Sequence, residues 1–124
     1  MSIFCERMAH GAPVEVFGDG GQTRDFIFVA DVVAVLLAAM QRPALDAPVY
    51  NVCTGIPNTV LALAQTIAEL TGTTADIRHA PPRAGEIRHS TGVPDRARAA
   101  FGLAPPVRLR DGLRQVLDWV AGTR

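Results

Sequence analysis

Nine consecutive apolar residues, Val32 to Met40, constrain this chain more than any other feature, because the helix they would form has no polar face. A bilayer span needs about 20 such residues, so the run is too short to cross a membrane. It reads instead as a helix that protein must cover on several sides. Asp31 precedes it, placed to cap or charge-stabilise a helix running to about Gln41, with Pro43 just past its end. Extended patterns flank it: Asp25 to Val29, rich in aromatic and β-branched side chains, and Val49 to Cys53, nearly continuous in apolar residues as in a buried parallel strand that follows Pro48.

The rest of the chain keeps this rhythm, which is that of an α/β fold. Residues 2 to 10 predict a short helix closed by Gly11, and Val14 to Phe17 alternate as a strand before the turn cluster Gly18-Asp19-Gly20-Gly21. Asn58 or Thr59 caps the next helix, where Val60, Leu63, Ala64, Ile67, Ala68 and Leu70 follow helical spacing and Gly72 supplies the stop. A strand is expected over 75–79, an irregular loop over 80–93, a short helix over 94–101 and a final helix from about Leu109 to Ala121. In that last helix Leu109, Leu113, Val116, Leu117 and Val120 share one stripe, with Trp119 beside it.

Length and charge bound the function classes. A chain of 124 residues sets an expectation of one domain, 1–124. Twelve basic residues balance twelve acidic ones, so no long-range field favours nucleic acid or an anionic membrane. All twelve are arginine, which excludes a P-loop, a Schiff-base lysine and a Tyr-x-x-x-Lys pair within this chain. Arginine-only usage suggests a GC-rich, bacterial genome. The opening residues lack the pattern of a signal peptide, and Cys5 and Cys53 read as small buried hydrophobes of a reducing, cytoplasmic compartment.

Two stretches carry chemistry. In Val16-Phe17-Gly18-Asp19-Gly20-Gly21-Gln22-Thr23-Arg24-Asp25-Phe26 a glycine-rich turn sets an arginine and an aspartate at the mouth of a strand. Taken alone, such a turn is an ordinary hairpin. Arginine, however, presents a planar fork of donors suited to phosphate oxygens, and glycine lets backbone approach a flat ligand. In Pro82-Arg83-Ala84-Gly85-Glu86-Ile87-Arg88-His89-Ser90 a second arginine stands near a carboxyl group able to accept from sugar hydroxyls. A solvated loop also carries such residues freely. Two arginines on separate loops would suit a diphosphate. Asp19, Asp25 and Asp31 fit no calcium-loop spacing, and His79 and His89 lack a partnering cysteine pair, so no metal site is expected. Ser90 and His89 lie in no nucleophile-elbow pattern.

Together, V-F-G-D-G-G-Q-T-R-D-F-I-F-V-A-D-V-V, then V-Y-N-V-C-T-G, then P-P-R-A-G-E-I-R-H-S, then G-L…W resemble one family from Ser2 to Trp119. The chain is similar to the C-terminal, substrate-binding part of the extended short-chain dehydrogenase/reductases. These are the NAD-dependent nucleotide-sugar epimerases and dehydratases, with the UDP-glucose 4-epimerase-like members nearest. The resemblance implies that Arg24 and Arg83 bind the diphosphate of a UDP-sugar or related nucleotide sugar. It further implies that Glu86 holds the ribose hydroxyls, that backbone around Val16 and Phe17 lines the base, and that Gln22 is a weaker candidate near the ribose or phosphate. Relatives often carry Asp where this chain reads Gly92-Val93-Pro94, which weakens the expected cap of the helix at 94. Tyr50 matches the family's buried Y-N-V strand and reads as structural.

The family also has a Rossmann half with a G-x-x-G-x-x-G loop that binds NAD, and a Tyr-x-x-x-Lys pair that works with it. Neither pattern occurs in this sequence, so no catalytic residue is assigned and no NAD is expected on this chain alone. Leaving roughly 300 Å² of the Val32 to Met40 helix bare would forfeit about 7 kcal/mol at ~25 cal/mol per Å², against a domain stability of about 5–15 kcal/mol. The expectation is a self-associating or marginally folded chain. Three readings stay open: the sugar-nucleotide-binding portion of an epimerase or dehydratase, without turnover alone; a non-catalytic binding module; and a remnant or subunit that assembles with a separate Rossmann chain.

Overall fold

The computed structural model describes residues 2–42, 44 and 49–122. Five helices and five short strands are interspersed along it: α1 Ser2–Ala9, β1 Val14–Phe17, β2 Thr23–Asp25, α2 Val29–Met40, β3 Pro57–Thr59, α3 Val60–Thr71, β4 Ile77–Ala80, β5 His89–Ser90, α4 Asp95–Phe101 and α5 Leu109–Gly122. β1 pairs in parallel with β4, Val14 opposite Ile77 and Phe17 opposite Ala80. A second sheet runs β3-β2-β5, with β2 antiparallel to β3 and parallel to β5. The strand at 14–17 alternates as expected: Val14 and Val16 are buried and Glu15 is exposed.

The core forms where α1, α3 and α5 meet β1. Cys5, Met8, Val14, Leu63, Ala64, Ile67, Ala68 and Leu113 are buried together, and Phe4, Phe26, Leu109, Val116 and Leu117 pack against them. Local signals explain α3 fully. Thr59, not Asn58, is the cap: its Oγ1 accepts from the Ala62 N–H at 3.0 Å, a bond worth about 1 kcal/mol. Gly72 closes the helix in the left-handed conformation, φ 65°. Leu109, Leu113, Val116 and Leu117 of the α5 stripe pack into the core as their spacing predicts, while Trp119 stays 66% exposed. α4 begins after Pro94 with no side-chain cap, as the Gly92-Val93-Pro94 departure implies. Tyr50 makes an edge-to-face contact with Phe101 at 4.9 Å.

Several expectations are corrected. The strand expected over Asp25 to Val29 is β2, Thr23–Asp25, and it stops where the reading began. The next ladder bond would join Phe26 to Ile56, but the Ile56 N–H donates instead to Thr54 Oγ1 at 3.0 Å. Residues 26–28 carry no strand pairing, and α2 starts at Val29 behind the extended Phe28, not after Asp31. Asp31 lies in the first turn of α2, where its charge suits the helix N-terminus as expected, but it caps nothing by side chain; its Oδ2 accepts from the Val107 N–H at 2.9 Å and ties down the approach to α5. Val49 to Cys53 is not a strand, since no described strand lies beside it, and Val49 is 65% exposed. The strand expected over 75–79 is Ile77–Ala80. The loop at 80–93 contains β5, and β3 was not expected at all. Pro43 and Pro48 lie outside the described residues.

The apolar helix keeps the problem that its sequence poses. Val35 is its one buried residue, whereas Val29, Val33, Leu36, Leu37 and Met40 are all exposed. No described helix is long and apolar enough to cross a membrane.

Candidate functional site

Both chemistry-bearing stretches meet at the C-terminal end of β1. The chain leaves Phe17, turns through Gly18 to Gly21 and enters β2 at Thr23, while the 82–90 loop returns from β4 and joins β2 as β5. Gly20 permits the turn: at φ 73°, a Cβ there would lie 2.9 Å from Val16 Cγ1 and 3.0 Å from Leu61 Cβ. Backbone bonds lock the two segments together, with the Gly18 N–H donating to Ala80 O at 2.8 Å and the Thr23 N–H to Arg88 O at 2.9 Å. His79 Nδ1 donates to the Gly18 carbonyl at 2.7 Å.

Arg24 and Glu86 stand together. Arg24 Nη1 donates to Ile87 O at 2.7 Å and to Thr23 O at 2.8 Å, and its Nη2 lies 3.5 Å from Glu86 Oε1. Glu86 Oε1 also accepts from Gln22 Nε2 at 3.3 Å, and the same amide nitrogen donates to Phe17 O at 3.1 Å. Arg83 comes from the other side, its guanidinium carbon 3.8 Å from the centroid of the Phe17 ring. Arg24, Arg83, Glu86 and Ser90 share an open cleft of about 370 Å³. Arg83 and Glu86 also wall a neighbouring cleft of about 380 Å³ with Phe17, Gln22, Asp19 and Arg88.

Five of the six expected site residues therefore converge. Val16 lies beneath them, 1% exposed and lining neither cleft; what was expected there concerns the backbone around Val16 and Phe17. Sequence reasoning assigned no role to Asp19 and Arg88, which form a bidentate pair at 2.7 and 2.9 Å across the mouth of the second cleft. That pairing, with a further bond from the Gly21 N–H, holds the Asp19 carboxyl well below the usual carboxylate range, and Asp19 in turn raises Arg88. The available signal was a second arginine five residues after Arg83 in the same loop.

Asp25 anchors the site from behind. Its Oδ1 accepts from the Thr54 N–H at 2.9 Å and the Thr54 hydroxyl at 2.6 Å, and its Oδ2 from the Gly55 N–H at 2.9 Å and the Gly92 N–H at 3.3 Å. Burial pushes this carboxyl upward, but the hydrogen bonds from Thr54, Gly55 and Gly92 outweigh it and leave Asp25 below its ordinary value.

What the site can do follows from its donors. Two guanidinium groups on one cleft suit a paired-phosphate anion, and a carboxyl group beside them suits hydroxyl donors. The glycine turn leads from β1 into β2 and not into a helix N-terminus, so it does not fit the dinucleotide cradle of a Rossmann unit. Among the described residues, no group of three or more His, Cys, Asp or Glu could hold a metal ion.

Comparison with known proteins fits this geometry. The sequence model of the NAD dependent epimerase/dehydratase family matches residues 1–53. The UDP-glucose 4-epimerase of Mycolicibacterium smegmatis is 34% identical over 96% of this chain. The crystal structure of a Thermotoga maritima UDP-glucose 4-epimerase with UDP-glucose superposes on 98% of the chain with a TM-score of 0.90 and 37% identity. That of the Thermus thermophilus UDP-glucose 4-epimerase in complex with NAD covers 99% of it, with a TM-score of 0.87 and 32% identity. The chain spans 38% of the first two proteins and 40% of the third.

Proposed function

We propose that this chain, which belongs to the NAD dependent epimerase/dehydratase family, is a sugar-nucleotide-binding domain over 1–124 that holds a UDP-sugar or related nucleotide sugar. The observation that carries this reading is the meeting of Arg24 and Arg83 with Glu86 on one cleft, from segments about sixty residues apart in sequence. In this reading Arg24 and Arg83 take the diphosphate and Glu86 the ribose hydroxyls. Backbone around Val16 and Phe17 lines the base, and Gln22 is a weaker candidate near the ribose or phosphate. NAD belongs to the relatives; the sequence contains no Tyr-x-x-x-Lys pair, and turnover by this chain alone is not expected. A cytoplasmic location and a bacterial source go with the same proposal.

The bare face of α2 favours a second element of the reading: assembly with a complementary nucleotide-binding half, or self-association. Mixing with a separate Rossmann chain and finding restored epimerisation would select the first of these.

Proton NMR of the purified chain with millimolar UDP-glucose tests the binding proposal. Dispersed signals that shift on titration, and lose that response in Arg83→Ala, support it. Dispersed signals without any response overturn the UDP-sugar assignment. Epimerisation by the chain alone would overturn the assignment as a non-catalytic portion.

A further inference from the structure

We propose that Gln22 is a positioning residue, which couples the base-lining end of β1 to Arg24 through Glu86; this rests on the sugar-nucleotide reading above. Gln22 is 4% exposed, one of two buried polar side chains among the described residues. Its amide nitrogen carries two hydrogens, and two acceptors receive them: Phe17 O at 3.1 Å and Glu86 Oε1 at 3.3 Å. Both partners only accept, so the amide orientation is fixed; turned over, it would set its own oxygen against two oxygens.

Glu86 Oε1 in turn faces Arg24 Nη2 at 3.5 Å, and Arg24 Nη1 is tied to Ile87 O at 2.7 Å. One continuous chain of hydrogen bonds thus runs from the Phe17 carbonyl to the arginine assigned to the diphosphate. With both N–H donors engaged, Gln22 has none to offer a ligand. Its influence passes through where it holds Glu86.

Substitution by residues of the same shape tests this. Gln22→Met removes both donors, and its affinity for UDP-glucose should fall about tenfold, the effect of losing a bond to a charged partner. Gln22→Glu sets a second carboxyl against Glu86, and two carboxyls in contact share one proton with a raised pKa. The charged and titratable groups around this pair are Arg24 on β2, Asp19 in the turn, and Arg83, Arg88 and His89 on the facing loop, with His79 on β4. They act equally on both proteins, so the measured quantity is the ratio of variant to wild-type affinity at each pH.

At pH 8 that ratio should show a loss of about tenfold or more, and at pH 5.5 the shared proton should restore it to within about threefold. A ratio that stays flat with pH, or Gln22→Met binding as tightly as wild type, overturns the inference. A purely structural role would lower the melting temperature of both variants without this pH signature. Wild type that binds no UDP-glucose would overturn the functional reading itself. Wild type that binds, with indifferent variants, would overturn only the role of Gln22.

Discussion

The Arg83 guanidinium carbon lies 3.8 Å from the centroid of the Phe17 ring, so an arginine assigned to the diphosphate rests on the side chain at the end of β1. The contact joins the two loops of the site and holds a long side chain against the wall of both clefts before any ligand arrives. Holding it there lowers the ordering cost of binding.

Arg83→Ala should therefore weaken UDP-glucose binding by about 10- to 100-fold, matching the roughly 1.5–3 kcal/mol of a bond to a charged group. Phe17→Leu keeps the bulk but removes the ring. It should weaken binding by about two- to fivefold, from a cation–π contact of about 0.5–1 kcal/mol at an exposed site. Arg83→Lys should not restore binding fully, because an ammonium lacks the planar fork. Titration by NMR or calorimetry measures all three. Equal affinity of Arg83→Ala and wild type would remove Arg83 from the site.

Asp25 sets an acid limit on stability. Its folded pKa lies below the ordinary value, so its contribution is fully present above the unfolded pKa near 3.9 and declines as pH falls through the folded value. Urea denaturation should show wild-type stability falling below about pH 5, with Asp25→Asn flatter over that window. At neutral pH Asp25→Asn should cost about 1–3 kcal/mol, because the amide puts a donor where the carboxylate accepts from Thr54, Gly55 and Gly92. An unchanged acid limb in Asp25→Asn would show that other carboxylates set it.

How much of this was legible in the sequence depended on distance along the chain. The Thr59 cap and the Gly72 stop act within a few residues of α3, and their signals are local. The end of β2 is decided at Ile56, thirty positions from Phe26, whose N–H turns to Thr54 Oγ1 in a way no pattern near Asp25 reveals. Val49 to Cys53 has the composition of a buried strand, but a strand also needs a neighbour to receive its backbone groups. Arg24 and Arg83 were singled out by the phosphate chemistry of arginine and by the family motifs together. The bond between Gln22 and Glu86 spans 64 residues and had no signal of its own.

Gly20→Ala should be the most damaging small substitution in the turn. The left-handed φ of 73° strains any residue with a Cβ, and that Cβ would meet Val16 Cγ1 at 2.9 Å and Leu61 Cβ at 3.0 Å. Strain of this kind costs about 1–3 kcal/mol. Because the turn also carries Asp19 and Gln22, denaturation and UDP-glucose affinity should both respond. Gly72→Ala, with φ 65° but nothing within 4 Å, should lower stability alone. A stable Gly20→Ala with wild-type affinity would mean that the turn relaxes freely.

The exposed stripe of α2 should accept charge without cost to the fold. Leu36 and Leu37 are 58% and 54% exposed, so neither adds much to the buried core, and surface changes usually stay within about 0.5 kcal/mol. Leu36→Glu with Leu37→Glu should leave the urea midpoint of the monomer nearly unchanged while lowering self-association and dye binding to apolar surface. Sedimentation of wild type and variant across micromolar concentrations measures the difference. Wild type that is a compact, stable monomer at these concentrations would mean that the bare helix is tolerated in water and drives no assembly. A variant that unfolds would mean that α2 buries Leu36 or Leu37 in a contact on which the fold depends.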